Sequence, residues 1–203
     1  MILTLATEPT AEPITLAEAK THLRVSTIDE DSYITSLISA ARLHTESVTN
    51  RALITQTWDL YLDRFPSSPY LSVELPKPKL QSITYIKYTD VNGTLQTWDA
   101  SNYDVDGDSF LGLVYPVYQG DWPSGVRDHP KAVTIRYVAG YAPSGASSPE
   151  DQADNVPMPL KQAILLLVGH LYENREASSQ NLNVTSTPMA YESLIASYRV
   201  HRF

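Results

Sequence analysis

Val156-Pro-Met-Pro-Leu-Lys-Gln-Ala-Ile-Leu-Leu-Leu-Val-Gly-His-Leu-Tyr-Glu-Asn-Arg-Glu176 reads as one helix with a sharp start and almost no polar face in its middle. Pro157 and Pro159 suit a helix entrance, where a missing N–H costs nothing. From Ala163 to Leu171 every position except Gly169 and His170 is apolar. A helix apolar nearly all round must be covered on all sides. In a chain of 203 residues, part of that cover can come from a neighbouring copy. Ile164, Leu167, Leu171, Tyr172 and Arg175 are therefore candidate subunit contacts. The reading points to a part of an assembly rather than an enzyme.

Upstream, residues 1–14 read as an extended arm, with Pro9 and Pro13 breaking any helix. Thr15-Leu-Ala-Glu18 is a capping box, predicting a short helix to about Arg24. A second helix starts between Ser26 and Asp31 and ends near Asn50, with an apolar stripe of Tyr33, Ile34, Leu37, Ile38, Ala41, His44 and Val48. The period then falls to two. Strands are predicted around Trp58–Leu62, Leu71–Leu75, Ile83–Tyr88, Leu95–Trp98, Tyr103–Val105, Gly112–Tyr115 and Val133–Val138. Asp90-Val-Asn-Gly93 is a hairpin turn in which Asn92 and Gly93 supply positive φ angles. Residues 139–156 read as a Gly/Ser/Pro/Asp linker and Ala177–Thr187 as a polar loop. Pro188 opens a last amphipathic helix whose Tyr191, Leu194, Ile195 and Tyr198 share a face. The fold class is α+β: a helical body of about four helices with an inserted antiparallel β lobe. Residues 1–52 hold the arm and first helices, 53–140 the β lobe, and 141–203 the linker, the apolar helix and a C-terminal docking helix and tail.

The composition is globular, with 42% hydrophobic and 19% charged residues, and its aromatics are dominated by 13 Tyr. There is no cysteine, which excludes disulfides and thiolate chemistry. The longest apolar run is about half of the ~20 residues a membrane span needs. Met1-Ile-Leu-Thr-Leu-Ala-Thr-Glu8 has no basic leader region. A soluble protein made in the cytoplasm is expected. A net charge of −8, with no basic block, argues against gripping DNA but suits a surface past which DNA slides.

No motif carries catalysis, a cofactor or a metal. Asp104-Val-Asp-Gly-Asp108 spaces oxygens like a calcium loop, but Ser109 stands where glycine is needed and Tyr115 where the closing Glu belongs, so it reads as a turn. His22, His44, His129, His170 and His201 lack metal-ligand spacing, and His44 and His170 fit core or interface positions. Asp59 and Asp63 fall on the solvent face of their strand, with a solubilising role. A competing reading is a carbohydrate-binding or carbohydrate-active tail protein that stacks sugars on Trp58, Trp98 and Trp122, although Trp58 sits in a core-like alternation. The chain ends on Arg199-Val-His-Arg-Phe203, a basic, aromatic tail on an acidic protein. Tyr191, Leu194, Tyr198, Arg199, His201, Arg202 and Phe203 are candidate docking residues, and deleting Pro188–Phe203 is expected to spare the fold.

Ile14-Thr-Leu-Ala-Glu-Ala-Lys-Thr-His-Leu-Arg-Val25, Asn50-Arg-Ala-Leu-Ile-Thr-Gln-Thr-Trp58, Leu75-Pro-Lys-Pro-Lys-Leu-Gln-Ser-Ile-Thr-Tyr-Ile-Lys-Tyr88, Val156–Leu167 and Tyr172-Glu-Asn-Arg-Glu176, taken together and in this order, resemble the head–tail connector (adaptor, head-completion) proteins of long-tailed bacteriophages and prophages. The resemblance implies a structural, non-enzymatic virion protein without cofactors, at the head–tail junction and assembled in the host cytoplasm. It implies a homo-oligomeric ring of about twelve subunits under the portal protein. Such a ring extends the DNA channel without sequence-specific binding and offers a surface to the stopper or tail-completion protein. Pro188–Phe203 is the stretch that the resemblance assigns to portal docking.

Overall fold

The computed structural model describes residues 1–142, 148–175 and 189–200. It divides into a β unit, Met1–Pro9 with Thr55–Gly145, and a helical unit, Thr10–Ile54 with Ala146–Phe203. The combination is α+β, with five helices and two antiparallel sheets among the described residues.

In the β unit, β8 (Val133–Ala139) shows the period of two most clearly. Val133, Ile135, Tyr137 and Ala139 are buried, and the residues between them are half-buried. It lies at the centre of a sheet ordered β1-β2-β8-β4-β5, built with β1 (Ile2–Thr7), β2 (Gln56–Leu62), β4 (Leu80–Thr89) and β5 (Leu95–Trp98). A second sheet is ordered β3-β7-β6, from β3 (Val73–Leu75), β7 (Gly112–Pro116) and β6 (Tyr103–Asp106). Where the sequence predicts an extended arm, Ile2–Thr7 is a strand on β2. Its run of β-prone residues is uninterrupted, and Pro9 only ends it. The hairpin between β4 and β5 also differs from expectation. Only Gly93 has a positive φ (84°). Its N–H bonds the Asp90 carbonyl, and the Asp90 N–H bonds the Thr94 carbonyl. This is a three-residue loop closed by a left-handed glycine rather than a two-residue turn. The Asp90 carboxylate accepts from the Asn92 and Thr94 N–H groups, replacing the need for a left-handed Asn.

Leu60, Ile86 and Ile135 are fully buried beneath the larger sheet. Beside them Phe65 stacks on Trp122 at 5.2 Å, and Trp98 lies 5.1 Å from Trp122 and 5.2 Å from Tyr103. The Trp122 indole N–H donates to the carbonyls of Ser68 and Leu71, which ties the loop after β2 to this cluster.

In the helical unit, α1 (Leu16–Leu23) starts at the predicted capping box. The Thr15 hydroxyl accepts from the Glu18 N–H and the Glu18 carboxylate accepts from the Thr15 N–H. Helix α2 (Asp31–Thr49) ends on Asn50 in the left-handed conformation. Its buried face is Ile34, Ile38, Ala41, Arg42, Thr45, Glu46 and Thr49, while Tyr33, Leu37 and Val48 are half-buried and His44 is exposed. The stripe read from the sequence is thus turned about the helix axis. The cause is a charged network inside the unit. Arg42 Nε donates to Glu12 at 2.8 Å and Nη1 to Glu46 at 3.0 Å. Glu46 also accepts from the Leu53 N–H, and Glu12 from the Ser39 hydroxyl. A hydropathy pattern treats such residues as solvent-facing, and only their mutual pairing lets them turn inward.

The predicted linker holds an additional short helix, α3 (Pro149–Asp154), with the Ser148 hydroxyl accepting from the Asp151 N–H and Pro149 at its first position. Helix α4 (Met158–Glu173) is the quoted apolar helix, and it packs on α2 and on α5 (Met189–Ile195). Leu160, Ala163, Ile164 and Val168 are fully buried. Burial of a side chain such as Leu160 or Ile164 stabilises by about 1.5–3 kcal/mol. Tyr191 and Ile195 of α5 are fully buried, and the Tyr191 hydroxyl shares a hydrogen bond with Thr45.

Candidate assembly surfaces

The buried line of α4 runs through Leu160, Ala163, Ile164, Leu167 and Val168. With 3.6 residues per turn, the opposite line is Met158, Gln162, Leu165, Gly169 and Tyr172. Met158 and Gln162 are exposed; Leu165, Leu166, Leu171 and Tyr172 are half-buried. The structure therefore separates the five candidate contacts. Ile164 and Leu167 are enclosed within their own unit and present nothing to a neighbour. Leu171 and Tyr172 keep an open side, and Arg175 is exposed. Leu165 and Leu166 are the open apolar positions that the sequence reading missed. The phase of the buried line, which depends on where α2 and α5 sit, was the missing information. Gly169 faces α1, where a Cβ would stand 3.4 Å from His22 Nε2, an ordinary contact.

Tyr172 and Arg175 meet two residues from the start of α2. The Tyr172 hydroxyl donates to Glu30 Oε2, and Arg175 Nη2 donates to Glu30 Oε1. The Arg175 guanidinium lies 4.7 Å from the centre of the Tyr33 ring and 4.9 Å from that of Tyr172. The Tyr172 hydrogen bond, and then the one from Arg175, hold the Glu30 carboxyl below its ordinary value, while the bond to Glu30 pushes the Tyr172 phenol up. A lowered carboxyl stabilises the fold above its unfolded value and stops doing so as pH falls through the folded one. Glu30→Gln is therefore expected to be less stable than wild type at neutral pH and to converge with it below pH 4.5, the ordinary value for this group. Denaturant titrations at a series of pH values check this. An offset that does not change with pH would show that Glu30 acts by packing alone.

Of the docking candidates, Tyr191 is enclosed in the core, Leu194 and Tyr198 are half-buried, and Arg199 pairs with Glu192. The Tyr198 carbonyl accepts from Arg51 Nε at 2.6 Å, and the Val200 N–H donates to the Thr49 carbonyl at 2.9 Å. The chain is thus part of the helical unit as far as Val200. Deleting Pro188–Phe203 would remove core residues, so it cannot spare the fold as the sequence reading expects. His201, Arg202 and Phe203, Pro188 and the loop Ala177–Thr187 lie outside the described residues.

Nothing among the described residues gathers into a reactive centre. Among the described residues no three His, Asp or Glu side chains are placed to hold a metal ion, and no helix is long and apolar enough to cross a membrane. His22 and His129 are exposed, His44 lies 5.8 Å from the Tyr191 ring, and His170 is half-buried. Asp59, read from the sequence as solvent-facing, is buried and holds Arg136 through two hydrogen bonds of 2.7 and 2.6 Å across the β2–β8 pair. Asp63 is an exposed loop residue that caps the Lys131 N–H. The tryptophans do not form a sugar platform. Trp98 and Trp122 are buried against Phe65, and Trp58 is half-buried under the Lys77 ammonium.

Residues 13–96 and 132–199 match the family model described as phage gp6-like head-tail connector protein. The chain belongs to this head–tail connector family.

The connector is accordingly a structural protein of the phage head–tail junction and not an enzyme. Its match omits residues 97–131, which hold β6, β7, Trp98 and Trp122. No curated protein matches the chain. Among solved structures, the connector is similar over 100% of its length to 97% of a chain in the neck of an empty gene transfer agent (GTA) particle computed with C6 symmetry, at 24% identity and a TM-score of 0.78. It is similar to the same extent to a chain in the virion of the native GTA particle, at 23% identity and 0.76, and to one in the native neck computed with C12 symmetry, at 24% and 0.71. At this identity the likeness is one of fold, and it extends to the residues the family match omits.

Proposed function

We propose that the connector assembles into a ring in the virion neck, directly beneath the portal, extends the DNA channel, and presents the surface to which the stopper or tail attaches. The observation that carries this reading is the family match, joined to a helix α4 that keeps Leu165, Leu166 and Leu171 partly open after its own unit has folded. The solved neck chains of the same fold come from assemblies treated with six- and twelve-fold symmetry. A net charge of −8 suits a wall that repels phosphate and lets DNA pass without sequence-specific contact. Ring contacts fall to Leu165, Leu166, Leu171 and Tyr172. Portal docking falls to Leu194, Tyr198, Arg199 and the terminal His201-Arg-Phe203, a basic and aromatic end on an acidic molecule.

Native mass spectrometry and negative-stain microscopy of the full chain, alone and mixed with a portal protein from the same phage or prophage, test the reading. Ring-sized particles, free or seated on portal, are expected. Removal of His201–Phe203 is expected to leave the far-UV spectrum unchanged and to prevent seating. Monomer in both conditions would overturn the ring, and full seating without the last three residues would move the docking site elsewhere.

A further inference from the structure

Among the described residues the larger sheet ends in two unpaired edge strands, and neither carries a charge. Strand β1 stands outside β2 with no described strand beyond it. Its six residues, Ile2-Leu-Thr-Leu-Ala-Thr7, include no charge and no proline, and Ile2 and Leu5 are 47% and 40% exposed. The one irregularity lies between Leu5 and Thr7, which leaves Ile2–Leu5 a regular ladder. At the other end, β5 is Leu95-Gln-Thr-Trp98, again without charge, and Leu95 is 63% exposed. Natural sheets blunt such edges with Lys, Pro or bulges because unpaired N–H and C=O groups recruit another strand.

The topology says which strand fits. All four pairings in the sheet are antiparallel, so β1 and β5, four steps apart, run in the same direction. The register places Ile2 opposite Tyr61, Tyr61 opposite Thr134, Thr134 opposite Lys87, and Lys87 opposite Thr97. Ile2 and Thr97 therefore occupy the two ends of one row on one face, and Leu95 shares that face two residues away.

We propose that β5 of one copy pairs with β1 of the next in parallel, continuing the sheet from subunit to subunit. This rests on the ring reading above and assigns it a contact in the β unit. A contact between two different edges is head-to-tail and propagates around a ring, whereas β1 on β1 is two-fold and stops at a dimer. The pairing satisfies both edges and covers Ile2 and Leu95 together. A slip of two residues keeps every side chain on its face, and a slip of one does not.

The absence of cysteine makes the test clean. Full-length Ile2→Cys and Thr97→Cys are mixed, and Ile2→Cys is also mixed with Leu95→Cys to allow the two-residue slip. Each mixture is oxidised after assembly. Adjacent strands bring Cα atoms within disulfide range. A linked dimer is expected from at least one mixture and from no single variant. As a second measurement, Leu95→Lys is expected to keep the monomer's circular dichroism and to weaken ring formation about tenfold or more. Rings that form normally without either cross-link, or that tolerate Leu95→Lys, would overturn edge pairing and leave the ring reading standing. Ile2→Cys linking to itself would replace it with a two-fold contact. Absence of rings from the wild-type chain would end both proposals.

Discussion

Arg42→Ala is expected to destabilise the helical unit by about 3 kcal/mol, the scale of removing one partner from a buried ion pair. Arg42 is only 8% exposed and its guanidinium joins two carboxylates, Glu12 from the segment before α1 and Glu46 one turn further along α2. Without it, two negative groups face each other in a poorly solvated site. Ser39 and the Leu53 N–H still donate to them but supply no charge. Arg42→Lys is expected to recover only part of the loss, since lysine lacks the planar fork whose Nε and Nη1 reach Glu12 and Glu46 from separate nitrogens. Urea unfolding followed by far-UV circular dichroism checks this: the midpoint falls with an unchanged slope. Trp58, Trp98 and Trp122 all belong to the β unit, so tryptophan emission reads that unit separately and is expected to move less. A far-UV midpoint equal to wild type would show that the network is dispensable.

Phe65→Ala is expected to cost the β unit about 3–5 kcal/mol, the usual range for removing a buried phenyl ring. Phe65 touches three other rings at once: Trp122 at 5.2 Å, Trp98 at 5.7 Å and Tyr88 at 5.9 Å. Its loss opens a cavity between two tryptophans, so emission is expected to shift to the red in the native state and the emission-monitored transition to fall. The same cluster explains why a carbohydrate platform does not arise from this composition. The rings face each other and bury their flat surfaces. Unaltered emission and stability would mean that the cluster is loosely packed and that its faces are available after all.

Much of the architecture was legible before any coordinates. The capping box at Thr15 and Glu18 starts α1 as read, because its two hydrogen bonds involve residues three apart and need no tertiary partner. The apolar run from Ala163 marks α4, and the alternation in Val133–Ala139 marks the central strand. What stayed hidden were features whose partners are distant in sequence. Arg42 and Glu12 are thirty residues apart, and Asp59 and Arg136 seventy-seven. Asp59 reads as solvent-facing in the sequence because its counter-charge is out of sight, and Arg42 simply falls outside the apolar stripe read for α2. Ser148-Pro-Glu150 did carry a helix-start signal for α3, which the surrounding Gly/Ser/Pro composition masked.

The assembly surfaces divide in the same way. That α4 is apolar nearly all round is a property of composition and period, legible in the sequence alone, as is the membership of the connector family. Which of those leucines lie inside was settled by the positions of α2 and α5: they enclose Ile164 and Leu167 and leave Leu165 and Leu166 partly open. Likewise Tyr191 reads as one residue of an amphipathic face, and only the fold shows it inside, bonded to Thr45. Local hydrogen bonds and residue periods set the elements, because their geometry repeats every few residues. The orientation of each element depends on which distant surface can bury its face and pair its charges, and that is a property of the packed chain.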